Sequence, residues 1–197
     1  IQNVLSIAAI SIVVILQPEL RKALEDIGEK NFINNFLGDN SRLDEEGRFS
    51  DKTINEIVRA CFEMGKVKTG ALIVIKQNQP LDEYERTGIE VDATVTSQLL
   101  INIFEKNTPL HDGAVIIKDH RIAAARCILP VSKNRDLPQE VGLRHRSALG
   151  ATEFTDAVAV VVSEQTGNIS LCYNNTMTRD LTPSTLQQEL EEILTKD

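Results

Sequence analysis

Residues 70–75 read Gly-Ala-Leu-Ile-Val-Ile, with no polar side chain among them. Six residues are too few for a helix, and a strand without polar alternation buries both of its faces. The rest of the chain must therefore supply cover on each side. Ala114-Val115-Ile116-Ile117 reads as another buried strand and 157–163 as a third. Shorter strands are predicted at Gly88–Val95, 121–129 and 168–173, with turns at Asp119-His120 and Gln165-Thr166-Gly167. Helical patterns lie between them. Thr53-Ile54-Asn55-Glu56 is a capping-box signature before Ile57, Val58, Cys61 and Phe62, so a helix is expected over about 53–65. Leu99, Leu100, Ile103 and Phe104 mark one over 97–106, and others are expected at 145–153 and at 184–195, the last capped by Ser184. Residues 77–87 and 132–141 read as loops. Interleaved strands and helices predict an α/β fold, a mixed central sheet flanked by helices.

The beginning of the chain is different. Residues 1–18 carry no charge, Val4 to Leu16 are almost wholly apolar, and charges start with Glu19, Arg21 and Lys22. With Ile1 at the start and no initiator methionine, this stretch is read as the surviving end of a transmembrane helix, with a buried core helix as the alternative. Leu20, Leu24, Ile27 and Phe32 then suggest an amphipathic juxtamembrane helix. The expected organisation is a membrane and juxtamembrane part over 1–37, a polar linker over 38–52 and a catalytic domain over 53–197. It places the protein on the cell membrane with its catalytic domain in the cytoplasm.

A formal net charge of -8 leaves no basic stripe to displace counterions, which argues against binding nucleic acid. Cys61, Cys127 and Cys172 are scattered among apolar neighbours and read as reduced, buried side chains. The chain has no GxxxxGK[ST], GxGxxG, HExxH or GxSxG pattern, which sets aside P-loop, Rossmann, zincin and hydrolase-elbow chemistry.

What chemistry remains is concentrated in three places. Pro109-Leu110-His111-Asp112-Gly113-Ala114 sets an imidazole and a carboxylate at a strand entrance, followed by a residue that lets a ligand approach the backbone. Arg144-His145-Arg146 concentrates two guanidinium groups beside a helix start, in a chain whose charges are mostly acidic. Arginine forks and helix N-termini both hold phosphate. The residues therefore suggest that His111 and Asp112 hold a metal while Arg144 and Arg146 hold phosphates. Ser163-Glu164-Gln165-Thr166-Gly167 ends an apolar strand, a usual place for binding groups, although a plain hairpin turn reads almost as well.

In combination and in this order, the three motifs resemble those of the diadenylate cyclase family, specifically its membrane-anchored CdaA type, over roughly residues 53–195. Gln17-Pro18-Glu19-Leu20-Arg21 is similar to the end of that type's last transmembrane helix. The resemblance implies an enzyme that joins two ATP molecules into cyclic di-AMP, releases two pyrophosphates and uses Mn²⁺ or Mg²⁺. It implies that Asp112 orients or activates the ribose 3′-hydroxyl and helps with the metal, and that His111 is a metal ligand. Leu110, Gly113 and Ala114 would contact the nucleotide, Arg144, His145 and Arg146 the triphosphate, and Ser163 and Glu164 would complete the pocket. Thr152 would lie near the base. Relatives often have a threonine where this chain has Leu143 and an aromatic where it has Ile128, so one hydroxyl contact and one stacking contact are missing here. A product with twofold symmetry calls for one ATP per subunit in a homodimer. The alternative is a noncatalytic module that senses ATP or a cyclic dinucleotide.

Overall fold

The structure, a computed structural model, describes residues 50–134, 137 and 141–194. The expected membrane and juxtamembrane segments, and the expected linker up to residue 49, lie outside the described residues. Among the described residues no helix is long and apolar enough to cross a membrane.

Helix α1 (Asp51–Lys66) begins two residues before the expected start. Ser50 is its N-cap, its Oγ accepting from the Thr53 N–H at 3.4 Å. Glu56 does not turn back to its own helix as a capping box would have it. Its carboxylate accepts from the N–H of Ser97 at 2.5 Å, which ties α1 to the first turn of α3 (Ser97–Phe104). The remaining helices of the described residues are α2 (Asp82–Glu85), a short turn inside the expected 77–87 loop, then α4 (Leu143–Phe154) and α5 (Pro183–Leu194). In α5 the cap is Thr182 rather than Ser184: its Oγ1 accepts from the Thr185 N–H at 3.3 Å. The physical reason is Pro183, which has no N–H to satisfy and a φ suited to the first helical position.

Among the described residues seven strands form one mixed sheet: β1 (Ala71–Ile75), β2 (Ile89–Thr94), β3 (Ala114–Lys118), β4 (Arg121–Cys127), β5 (Val158–Val162), β6 (Ile169–Tyr173) and β7 (Thr176–Thr178). Their order is β2-β4-β3-β1-β5-β6-β7. Only β1 and β3 are parallel; every other neighbouring pair is antiparallel. The central place of β1 accounts for its uninterrupted apolar run. Ala71, Ile73 and Ile75 face a core shared with Ile57 and Cys61 of α1, Phe104 of α3 and Leu190 of α5. Leu72 and Val74 face the opposite core, built on Ala148 and Ala151 of α4. Each large side chain so buried contributes about 1.5–3 kcal/mol relative to exposure. All three cysteines are free and buried, and burial pushes each thiol up to about 12.

The topology also decides where chemistry can gather. Ala71 pairs with Val162, and Ala114 pairs with Cys127. The starts of β1 and β3 thus share one end of the sheet with the ends of β4 and β5. Gly70, Asp112-Gly113, Ile128 and Ser163-Glu164 all leave the sheet at that end.

Candidate active site

A cleft of about 830 Å³ opens there, within the range usual for small-molecule sites. Its polar side chains include His111, Asp112, Arg144, Ser163 and Glu164, drawn from three separate stretches of chain. The carboxylate at 112 and the guanidinium at 144 therefore do face one space.

Each side chain is placed by local structure. Asn107, in the left-handed region at φ 67°, turns the chain out of α3. The His111 ring is then fixed by Nδ1, 2.6 Å from the carbonyl oxygen of Thr108. A carbonyl can only accept, so Nδ1 carries the proton, and in the neutral ring the lone pair is on Nε2. A carbonyl partner of this kind orients metal-ligating histidines. Gly113 has φ 136°, and a Cβ there would lie 2.7 Å from the carbonyl carbon and 2.9 Å from the Cα of Arg126. Asp112 can enter the cleft next to β4 because the residue after it has no side chain. Ala114, the first residue of β3, lines the cleft as well.

Helix α4 meets the cleft end-on. Gly142, its N-cap, makes no side-chain capping bond, and Gly142, Leu143 and Arg144 all line the cleft. The helix starts two residues before the expected position, so all three residues of the triplet lie within its first turns. Successive residues of a helix turn by about 100°, which sends 144, 145 and 146 in three directions. Arg144 enters the cleft, where its Nη1 donates to Glu164 Oε2 at 2.6 Å. Its Nε is buried and has no hydrogen-bond partner. His145 lines the cleft as well while packing onto β6, with Nε2 3.4 Å from Ser170 Oγ. Arg146 does not line the cleft; its Nη1 donates to the Asn134 carbonyl at 3.2 Å. The expectation that both guanidinium groups share one cleft thus holds for Arg144 alone.

Of the other expected residues, Ser163 and Glu164 line the cleft. The Ser163 Oγ accepts from the N–H groups of Gln165 and Thr166 at 3.3 and 3.2 Å, leaving its own hydrogen to donate. Thr152 is buried in α4, donating to the Leu149 carbonyl at 2.9 Å, and lies away from the cleft. Leu110 packs against the core under α1 and α3. The sequence reading missed Gly70. A Cβ there would lie 2.7 Å from Arg144 Nη1 and 3.0 Å from Glu164 Cβ, so this glycine gives the ion pair its room.

His145 is only 8% exposed, and burial, then the charge of Arg179, holds its pKa below the ordinary 6.5. The imidazole is neutral near pH 7 and brings no positive charge to phosphate. Between its folded pKa and 6.5 the unfolded chain binds a proton that the folded chain does not, so stability is lost as pH falls through that window. The melting temperature is expected to drop as the pH falls below about 7, and His145→Gln to flatten that drop. An equal slope in the variant would contradict the assignment.

Two of the donors suit a divalent metal, His111 through Nε2 and Asp112 through its carboxylate. Among the described residues no three His, Cys, Asp or Glu side chains gather to hold a metal by themselves. A partial protein set fits a cation that completes its shell with substrate phosphate oxygens.

Fold and cleft together define an α/β domain with a small-molecule site at one end of its sheet. A model of the family described as DisA bacterial checkpoint controller nucleotide-binding (DAC) matches residues 58–177, and the chain belongs to that family. It is 44% identical over 182 residues to the cyclic di-AMP synthase CdaA of Bacillus subtilis, covering 92% of this chain and 64% of that protein. A diadenylate cyclase of Listeria monocytogenes is 44% identical over 188 residues, covering 95% and 65%. The chain thus spans a little under two thirds of the length of these relatives. In Mycoplasma genitalium a diadenylate cyclase is 35% identical over 153 residues, with 77% of this chain and 74% of that one covered. The crystal structure of a double mutant of DacA from Staphylococcus aureus superposes with a TM-score of 0.72 at 39% identity, covering 74% of this chain and 97% of that chain. A hypothetical membrane spanning protein from Bacillus cereus gives 0.65 at 30% identity, covering 92% and 88%.

Proposed function

We propose that this protein is a diadenylate cyclase, which condenses two ATP molecules into cyclic di-AMP and releases two pyrophosphates. The observation that carries the reading is the meeting of Asp112 and Arg144 in one cleft, at the open N-terminus of α4. Substitution at an α-phosphorus needs an oriented hydroxyl and fixed positive charge around the phosphate oxygens, and little covalent chemistry from the protein. Asp112 accepts the hydrogen bond of a 3′-hydroxyl. Arg144, the N–H groups of α4 and the Ser163 hydroxyl hold the phosphates, with the Leu110 backbone, Gly113 and Ala114 lying along the nucleotide. His145 supports α4 from beneath as a neutral side chain, Arg146 steadies the neighbouring loop, and Thr152 keeps the helix in register. His111 and Asp112 would hold Mn²⁺ or Mg²⁺. When bound, the ion neutralises charge that builds up on the phosphate oxygens.

One subunit holds one ATP, and each ribose must reach the α-phosphate of the other nucleotide. The working unit is therefore a homodimer with its clefts face to face. Ile128, Val131 and Leu143 line the cleft while 70%, 48% and 75% exposed, and an apolar rim of this kind suits cover by a base or a second copy. The apolar stretch from Val4 to Leu16 supports an N-terminal membrane anchor over 1–37, a linker over 38–52 and a catalytic domain over 53–197 facing the cytoplasm.

Incubation of the purified protein with ATP and Mn²⁺, followed by chromatography, tests the activity. Cyclic di-AMP is the expected product. ATP that binds and is recovered intact would point instead to the noncatalytic sensor.

A further inference from the structure

Ile128, exposed at the rim of the cleft, is held there by a residue that does not itself line it. Between the pairs Ile116↔Ala124 and Ala114↔Cys127, β3 advances two residues while β4 advances three. The bulge contains Arg126, in the left-handed region at φ 59°. A bulge re-aims the side chains that follow it. Ala125 faces the core with α1, whereas Cys127, which an even strand would put on the same face, turns to the core with α4. Ile128 comes next, past the pairs Ile89↔Ala125 and Ala114↔Cys127 that end the two ladders of β4. Its N–H is taken by a side chain in place of a strand: Thr87 Oγ1 accepts it at 2.8 Å. The one hydrogen of that hydroxyl goes to the Tyr84 carbonyl at 2.6 Å, so both bonds have a fixed direction. Behind them Leu81 is buried and Tyr84 packs against the α4 core. Gly88 lets the segment lie this close, since a Cβ there would come 2.5 Å from Cys127 Sγ and 2.6 Å from the Ala125 carbonyl oxygen.

We propose that Thr87 is a positioning residue for the nucleotide: its bond to the Ile128 N–H fixes the apolar rim on which the base lies, and so sets the affinity for the base without touching it. The inference rests on the cyclase reading above, in which that rim is covered by a base. A chain that has just left a sheet is free to swing unless its backbone is tied, and ordering it on binding would cost affinity. Here the ordering is complete before the nucleotide arrives, because Thr87 is itself anchored through Tyr84 to the core. The phosphates, held by Arg144 and the start of α4, do not draw on this bond.

Calorimetric titration of the full chain with ATP and with inorganic triphosphate, each in the presence of Mg²⁺, tests this directly. Thr87→Val keeps the shape of the side chain and removes the hydroxyl, and is expected to weaken ATP binding by about five- to tenfold, the scale of one hydrogen bond. Triphosphate has no base, so its affinity is expected to stay within about twofold and to report that the variant is folded. Thr87→Ser restores the hydroxyl and should bind ATP as the wild type does. Ile128→Ala leaves the N–H in place but removes the rim, so adding Thr87→Val to it should cost less than about twofold more. Unchanged ATP affinity in Thr87→Val would overturn the assignment, as would an equal loss for triphosphate or a full additional loss in the double variant. The two readings fail separately. A protein whose ATP affinity depends on Thr87 through Ile128 but which forms no cyclic product keeps the positioning role and loses the cyclase. A working cyclase whose ATP affinity ignores Thr87 loses only the positioning role.

Discussion

Asp112→Asn is expected to lower the rate of cyclic di-AMP formation by about 10²- to 10⁴-fold, the range for loss of a positioned acid–base group. The substitution keeps the shape of the side chain and takes away its charge and half of its acceptor capacity. Asp112 is exposed at the cleft and makes no structural hydrogen bond there that the fold depends on, so folding should be preserved. ATP affinity should fall much less than turnover, because Arg144, Ser163 and the start of α4 still face the phosphates. Steady-state kinetics at saturating metal, beside a melting curve, separates these effects. Product formation at the wild-type rate would remove Asp112 from the chemistry.

Arg144→Ala is expected to cost about 10²- to 10³-fold in turnover, the scale of losing one preorganised donor at developing charge. The guanidinium lines the cleft, held by Glu164 at 2.6 Å beside Gly70. Its Nε, buried without a partner, is available to a phosphate oxygen. Arg144→Lys should recover little, since a point charge does not reproduce the planar fork. A contact that strengthens in the transition state lowers kcat and kcat/KM together. A rise in KM at unchanged kcat would show that Arg144 only binds substrate. The same substitution at Arg146 should matter far less, because that side chain is turned to the Asn134 carbonyl.

This contrast between two arginines also shows what the chain discloses before it folds. The strand at 71–75 was readable because burial on both faces leaves an unbroken apolar run, and α3 because its apolar residues repeat at helical spacing. The three motifs that line the cleft could be read as chemistry from residue type alone. Their convergence depends on strand order, and nothing local announces that β1 runs parallel to β3 and antiparallel to β5. The fate of Arg146 was within reach, since helical phase already separates 144 from 146 once the helix start is set at 143. Gly70 was not. It looks like the entry to a strand, and its importance comes from Arg144 and Glu164, which lie far along the chain. The start of α1 was misplaced because Ser50 offers a cap three residues ahead of Thr53, leaving Glu56 to serve α3.

The ratio of products is the most direct measure of the central assignment. Purified protein given ATP and Mn²⁺ should release two pyrophosphates for each cyclic di-AMP formed, and a chelator should stop both. Pyrophosphate released without a cyclic dinucleotide, or ATP held and returned unchanged, would contradict it.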